Sequence, residues 1–284
     1  MGRAIPEFNS VAYSAKILKD LDKQRVLVQN CNRDYEGEIK NAGDTVKIRT
    51  LKRPTVNDYD INGATVVERL QDEARELKVD VAKYVQFVLD KIEDKQSNAD
   101  VFGEAVRLTS ESLGDSADED IASLYTEVGA NQTVTEAALT SVNFISTIAK
   151  GRKILMKNNV KNMNDVVVEI SPDVYEKLLL SDIAFDQNNT DKLMNGEIGQ
   201  YLGMKILVSN SIVTSGTGDT VRSYCFMRTK RAIGYAEQIV DSEQYMPETG
   251  FGKGFKSLHV YGKKILAPKE LVLMDLTNAA ESTI

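Results

Sequence analysis

The chain has 284 residues, with 35 Lys and Arg against 42 Asp and Glu and a net charge of −7; 42% hydrophobic and 27% charged content is ordinary globular usage, outside the signature of disorder. One histidine, His259, and two cysteines, Cys31 and Cys225, exclude zinc fingers, HExxH metalloproteases, multi-histidine iron sites and CxxC redox motifs. No apolar run approaches the roughly 18 residues needed to span a bilayer and MGRAIPEFNS lacks a signal-peptide core, so a soluble, intracellularly made protein with buried, reduced thiols is expected.

Residues 9–30 read as an amphipathic helix, capped by Asn9 or Ser10, with Ile17, Leu18, Leu21 and Val28 on one narrow stripe that needs a partner surface. After the turn signal at 41–44, Thr45 to Leu51 alternates strictly, with Val46 and Ile48 on one face and Lys47 and Arg49 on the other. A polar tip follows at 55–64, and Val66 to Val81 returns as a second extended arm, so the two form a long hairpin with too few apolar residues for its own core. Val79 to Leu89 is a strand with both faces apolar enough for burial. Phe102, Val106, Thr109 and Leu113 then form the seam of a long helix over 97–113.

Two capping boxes, Ser116 with Glu119 and Thr133 with Glu136, predict two further helices, the second running to about Asn158. Gly129-Ala130-Asn131 between them is the expected domain junction. The second half has α/β texture: a strand at Val166–Val168, a helix opened by Ser171-Pro172-Asp173, a strand from Leu202 to Val208, a loop at 214–219, and strands at 221–227, 257–266 and 271–276.

Charge is unevenly distributed. Residues 1–57 carry 11 bases and 7 acids, residues 58–128 carry 7 bases and 18 acids, and residues 129–284 carry 17 of each. The dense basic strip Lys47, Arg49, Lys52 and Arg53 reads either as a solvated strand face or as a patch that meets the acidic stretch of another copy, through Glu68, Asp72, Glu73 and Glu76. Evidence for an enzyme is close to absent. Gly250, Gly252 and Gly254 lack the lysine and the strand-turn-helix setting of a phosphate loop and are expected in a turn or surface loop. His259 reads as a structural or surface residue of a strand. Asp115, Asp118, Glu119 and Asp120 lack calcium-hand spacing and suit a helix start. No catalytic, cofactor-binding or metal-ligating set is assigned, and no cofactor.

The segment order is more informative than any motif. An amphipathic arm, a long hairpin opened by Gly43-Asp44-Thr45-Val46-Lys47-Ile48, a long helix, an α/β middle and a strand-rich return resemble the major capsid proteins of tailed bacteriophages, of Hong Kong 97-type fold. The phrases VVVEISPDVYEKLL at 166–179, LMNGEIGQYLGMKILVSNSIV at 193–213, and RAIGYAEQIVDSEQYMPETGFGKGF at 231–255 followed by HVYGKKILAPKELVLMDL at 259–276 carry the same likeness.

The resemblance implies an α+β fold with an N-terminal arm at 1–38, an extended loop at 39–80, a peripheral domain from 81–129 and 241–284 containing a long spine helix, and an axial domain at 130–240. It implies self-assembly into hexamers and pentamers of an icosahedral head around double-stranded DNA held without sequence-specific binding, with no membrane. No long charged helical extension precedes the arm in this sequence, so a separate scaffolding protein is expected, with portal and decoration proteins as further partners. An encapsulin-like compartment shell shares the fold and stays open, as does a tail or baseplate component. The lysine–asparagine crosslink of some members is not assigned, because no spacing singles out a pair among Lys47, Lys52, Asn57 and Asn62.

Overall fold

Three sheets and one long helix organise the described residues of a computed structural model, which are 26–35, 45–51, 54–58, 67–69, 72–90, 101–181, 197–201, 203–248 and 252–280. Strands β1 (Thr45–Leu51) and β2 (Asp72–Lys78) form the antiparallel hairpin predicted from the alternation. Strand β3 (Val81–Asp90) pairs with β11 (Gly252–Ile265), which pairs with β10 (Ile233–Tyr245), giving a three-stranded antiparallel sheet. The largest sheet is mixed, in the order β4 (Thr133–Leu139), β12 (Leu271–Asn278), β9 (Arg222–Thr229), β5 (Val166–Ile170), β7 (Met204–Val208), β6 (Glu197–Tyr201), with the two-residue β8 (Thr214–Ser215) also on β9.

The central strands of the large sheet, β5, β9 and β12, are buried on both sides, and their alternation shows how. Cys225 and Met227 of β9, Val272, Met274 and Leu276 of β12, and Val166, Val168 and Ile170 of β5 face one core, which helices α2 (Phe144–Lys157) and α3 (Pro172–Leu180) cover through Phe144, Ile148, Leu155, Val174 and Leu178. The intervening residues Phe226, Leu271 and Leu273 face a second core, closed by Leu27, Val28 and Cys31 from the N-terminal side and by Ala117, Ile121 and Ala122 of helix α1 (Val101–Ala122). Further along, α1 lies on the three-stranded sheet, where Val106 and Leu113 meet Phe255. Phe87, Phe102 and Phe255 stand with ring centroids 5.7–6.4 Å apart, the separation that offset and edge contacts favour.

The hairpin root sits on the opposite face of that sheet, where Val46, Leu77 and Val79 pack on Ala236 and Val260. The chains come close enough there to require glycine: a Cβ on Gly262 would lie 2.3 Å from the carbonyl oxygen of Lys78. Gly262→Ala is expected to push the root off the sheet and destabilise the subunit by about 1–3 kcal/mol, as overpacking does; a melting temperature equal to wild type would refute this close approach.

Several expectations are corrected. Thr133–Leu139 is strand β4, because the β-branched Thr-Val-Thr run pairs in parallel with β12 and buries Val134 and Leu139, which outweighs the local capping pattern. Ser116 to Glu119 starts no helix: α1 continues through them to Ala122, since Ala117, Ile121 and Ala122 are buried against the second core. The strand expected from Leu202 begins at Met204, after a turn in which Gly203 has φ +80°, and β6 precedes it. Strand β3 buries only one face: Val85, Phe87 and Leu89 are half-buried, while Tyr84 and Val88 are 74% and 52% exposed. Gly252 and Gly254 stand within β11, opposite Asp90 and Val88, and the Tyr245 ring covers Gly254 closely enough that a Cβ would fall 2.5 Å from it; Gly250 lies outside the described residues. The end of the expected N-terminal helix is a 3-10 turn at Val28–Asn30, and residues 1–25 lie outside the described part. Among the described residues no helix is long and apolar enough to cross a membrane.

Candidate functional site: surfaces the single subunit leaves open

The N-terminal segment is held to the body by buried charge. Asp118 of α1, 3% exposed, accepts hydrogen bonds from the backbone N–H groups of Val26, Leu27 and Val28 at 2.9, 3.2 and 3.0 Å. Arg228 of β9 and Glu169 of β5 form a fully buried two-point ion pair at 2.6 and 2.8 Å. The same guanidinium donates to the carbonyls of Leu27 at 2.8 Å and Asn30 at 2.5 Å. Asn32 then bonds both ways to β10, donating to Ile233 and accepting from Tyr235, and Arg33 pairs with Glu237 at 2.5 Å. One short stretch therefore ties α1, the large sheet and the three-stranded sheet together. Burial pushes the Cys31 thiol up to about 11 and the Cys225 thiol up to about 12, so both are poor nucleophiles at neutral pH; both cysteines are free and buried, as expected.

The other charged clusters are also structural. Asp118 and Asp120, with Asp115 and Glu119, belong to the last turns of α1, not to a helix start. Carboxylates there oppose the helix dipole, and their partners offset it. Burial works against the Asp120 carboxylate, but the Tyr261 hydroxyl, Lys263 and Lys83 together hold its pKa below the usual value. His259 is 1% exposed, with Nε2 3.3 Å from Glu237, which also accepts from the Tyr235 hydroxyl. Among the described residues no three His, Cys, Asp or Glu side chains are placed to hold a metal.

On the hairpin, the register sets Lys47 opposite Glu76, Arg49 opposite Ala74, Thr50 opposite Glu73 and Leu51 opposite Asp72. Lys47 and Glu76 thus pair within one chain, at 3.3 Å with side chains 64% and 58% exposed, a contact of little energy in water. Glu68 lies at the tip, where it accepts from the backbone N–H of Thr55 at 2.7 Å. Lys52 and Arg53 lie outside the described residues, and Arg49, Asp72 and Glu73 are placed by backbone register. Arg75 anchors the root by donating to the Ile265 carbonyl at 3.1 Å. Val56 and Val67 beyond it are 96% and 88% exposed. An apolar pair left that open at the end of a two-stranded ribbon has no partner surface among the described residues of its own chain.

Sequence reasoning missed Asp118 and the Glu169–Arg228 pair. For the pair the signal was a charge inside a strand that is otherwise suited to burial, Glu169 in VVVEI and Arg228 after YCFM, which is rarely tolerated in a buried sheet without a partner; Asp118 gave no such signal.

A search of curated protein sequences finds no match. Among solved structures the fold is similar to a chain of Mycobacterium phage Che8, with 27% identity over 88% of this chain and 91% of that one and a TM-score of 0.73. It is also similar to the capsid of Ralstonia phage GP4, with 13% identity, 93% and 91% coverage and a TM-score of 0.66. A virus-like particle from Pyrococcus furiosus matches with 15% identity, 95% and 100% coverage and a TM-score of 0.57. The last two show the fold alone, and all share the α+β architecture of the Hong Kong 97 type. The model of the family described as phage capsid protein matches residues 103–246, half of the chain, from the spine helix α1 through β10. With that match and that architecture, the chain belongs to the phage capsid protein family, and its work is structural, not enzymatic.

Proposed function

We propose that the protein is the shell subunit of a tailed-phage head, assembling as hexamers and pentamers of an icosahedral capsid around double-stranded DNA, in the virion and built in the host cytoplasm. The observation that carries this is the hairpin: its root is fixed to its own sheet, while Val56 and Val67 at the far end remain almost wholly exposed. A neighbouring copy supplies the surface they need. Residues 1–38 act as the arm, 39–80 as the extended loop, 81–129 with 241–284 as the peripheral domain and 130–240 as the axial domain. A separate scaffolding protein, a portal and decoration proteins are the partners this reading implies. The 27% identity to the chain of Mycobacterium phage Che8 favours a phage head over an encapsulin-like compartment.

The basic strip Lys47, Arg49, Lys52 and Arg53 is proposed to meet Glu68, Asp72, Glu73 and Glu76 of the next copy. Reversing the four bases to acids is expected to reduce particle yield by electron microscopy at least tenfold at low salt, with an unchanged circular dichroism spectrum. Unimpaired particles at low and moderate salt would remove the charge contact, since exposed pairs act over a Debye length of roughly 8–10 Å.

A further inference from the structure

Two helices present faces of opposite charge. Helix α2 carries Lys150, Arg152, Lys153 and Lys157 and no acid. Phe144, Thr147, Ile148, Gly151 and Leu155 turn inward, so Ala149, Lys150, Lys153, Met156 and Lys157 form its exposed side. Lys150 pairs with Glu136 at 2.9 Å. Ala149, Arg152, Lys153, Met156 and Lys157 line an open depression of about 580 Å³. Met156 is 56% exposed, and the Arg152 Nε–H is buried without a hydrogen-bond partner.

The exposed side of α1 carries Glu104, Leu108, Asp115 and Glu119, spaced i, i+4, i+11 and i+15 and therefore along one stripe. Arg107 is clasped between Glu104 and Glu111 and leaves the stripe acidic. Leu108, 49% exposed, is its apolar centre. The two helices of one chain cannot meet through these faces: α2 covers one side of the large sheet, whereas the C-terminal half of α1 covers the other.

We propose that the lysine face of α2 on one copy docks on the acidic stripe of α1 on a second copy, with Leu108 seated in the depression beside Met156 and carboxylates of the stripe meeting Lys153 and Lys157. The proposal rests on the shell reading and assigns one of the contacts between its subunits. An apolar centre ringed by charge on both helices is the arrangement of a protein interface, with its dry middle and polar rim. Double-stranded DNA is the weaker occupant, because Lys150 to Lys157 spans only about 10 Å of helix and encloses a methionine where phosphate contacts need cations spread along a groove.

The test is a charge swap in the full chain. Lys153→Glu/Lys157→Glu, both on exposed sites, is expected to lower the assembled fraction at least tenfold at low salt by sedimentation and electron microscopy, with an unchanged circular dichroism spectrum. Adding Asp115→Lys/Glu119→Lys is expected to restore it, while the acidic-side variant alone assembles poorly. Normal particles from the lysine variant overturn the proposal and leave the shell reading intact, as do normal particles with reduced DNA retention, which assign the face to nucleic acid. Failure of the combined variant to recover also overturns it. Absence of particles from wild-type protein under conditions that assemble related capsids overturns both.

Discussion

Replacing Arg228 with methionine is expected to lower the stability of the unassembled subunit by about 3–5 kcal/mol at pH 8, and by less at pH 5. The change leaves the Glu169 carboxylate buried with no counter-charge and removes the donors to the Leu27 and Asn30 carbonyls. Burial pushes the Glu169 carboxyl up to about 7 even against the attraction of Arg228. The folded chain therefore holds this proton more tightly than the unfolded chain, whose carboxyl titrates near 4.5. Its contribution to stability is complete below that unfolded value and is lost as pH rises through the folded one, between about 4.5 and 7. Without the guanidinium, ionisation becomes harder still, so the penalty grows with pH. Glu169→Gln is expected to cost less, because the amide oxygen and the Leu27 and Asn30 carbonyls still accept from the guanidinium, and to flatten the slope over this range. Denaturant unfolding of the three proteins from pH 4.5 to 8 checks this; an Arg228→Met penalty independent of pH would contradict it.

Asp118→Ala is the second large effect. It strands three backbone N–H groups, of which those of Leu27 and Val28 are buried, each at about 1–3 kcal/mol if they stay dry. The segment is expected to escape that cost by leaving the body, so the measurable result is local: amide exchange at Val26–Val28 accelerates at least a hundredfold and a protease cuts near residue 30, while the strands of the large sheet keep their protection. Asp118→Asn keeps one acceptor oxygen and is expected to fall between. Unchanged protection at 26–28 in the alanine variant would contradict this and show that the remaining contacts, the packing of Leu27, Val28 and Cys31 and the bonds from Arg228, hold the segment without Asp118.

Both effects follow from contacts whose partners no local pattern identifies. Asp118 meets Val26 across 92 residues of chain, and Glu169 meets Arg228 across 59. Periodicity carries no information about such pairs. It did carry the hairpin, because Thr45 to Leu51 alternates by two, and the spine helix, because Phe102, Val106, Thr109 and Leu113 recur along one stripe. It failed at Thr133, where a capping pattern and a β-branched strand coincide and only pairing with β12, more than 130 residues away, decides between them. At Ser116 the same capping pattern lies inside a helix that burial of Ala117 and Ile121 prolongs. The open valines were hidden for a different reason. The tip reads as polar, and the isolation of Val56 and Val67 appears only once the root is seen fixed to its own sheet.

That root also sets the direction in which the hairpin leaves the subunit. With Leu77 and Val79 packed on Ala236 and Val260, and the Gly262 backbone against Lys78, the hairpin leaves the body in a direction set by its own subunit. In the proposed shell its far end would reach the next copy ready placed, so little ordering would be needed on contact.

A cryo-electron microscopy map of the assembled particle tests the central claim most directly. The account predicts a closed shell in which residues 54–58 and 67–69 of each copy lie against an adjacent subunit, with Val56 and Val67 covered by it. A shell with both valines facing solvent, or a tip turned back on its own chain, would contradict it.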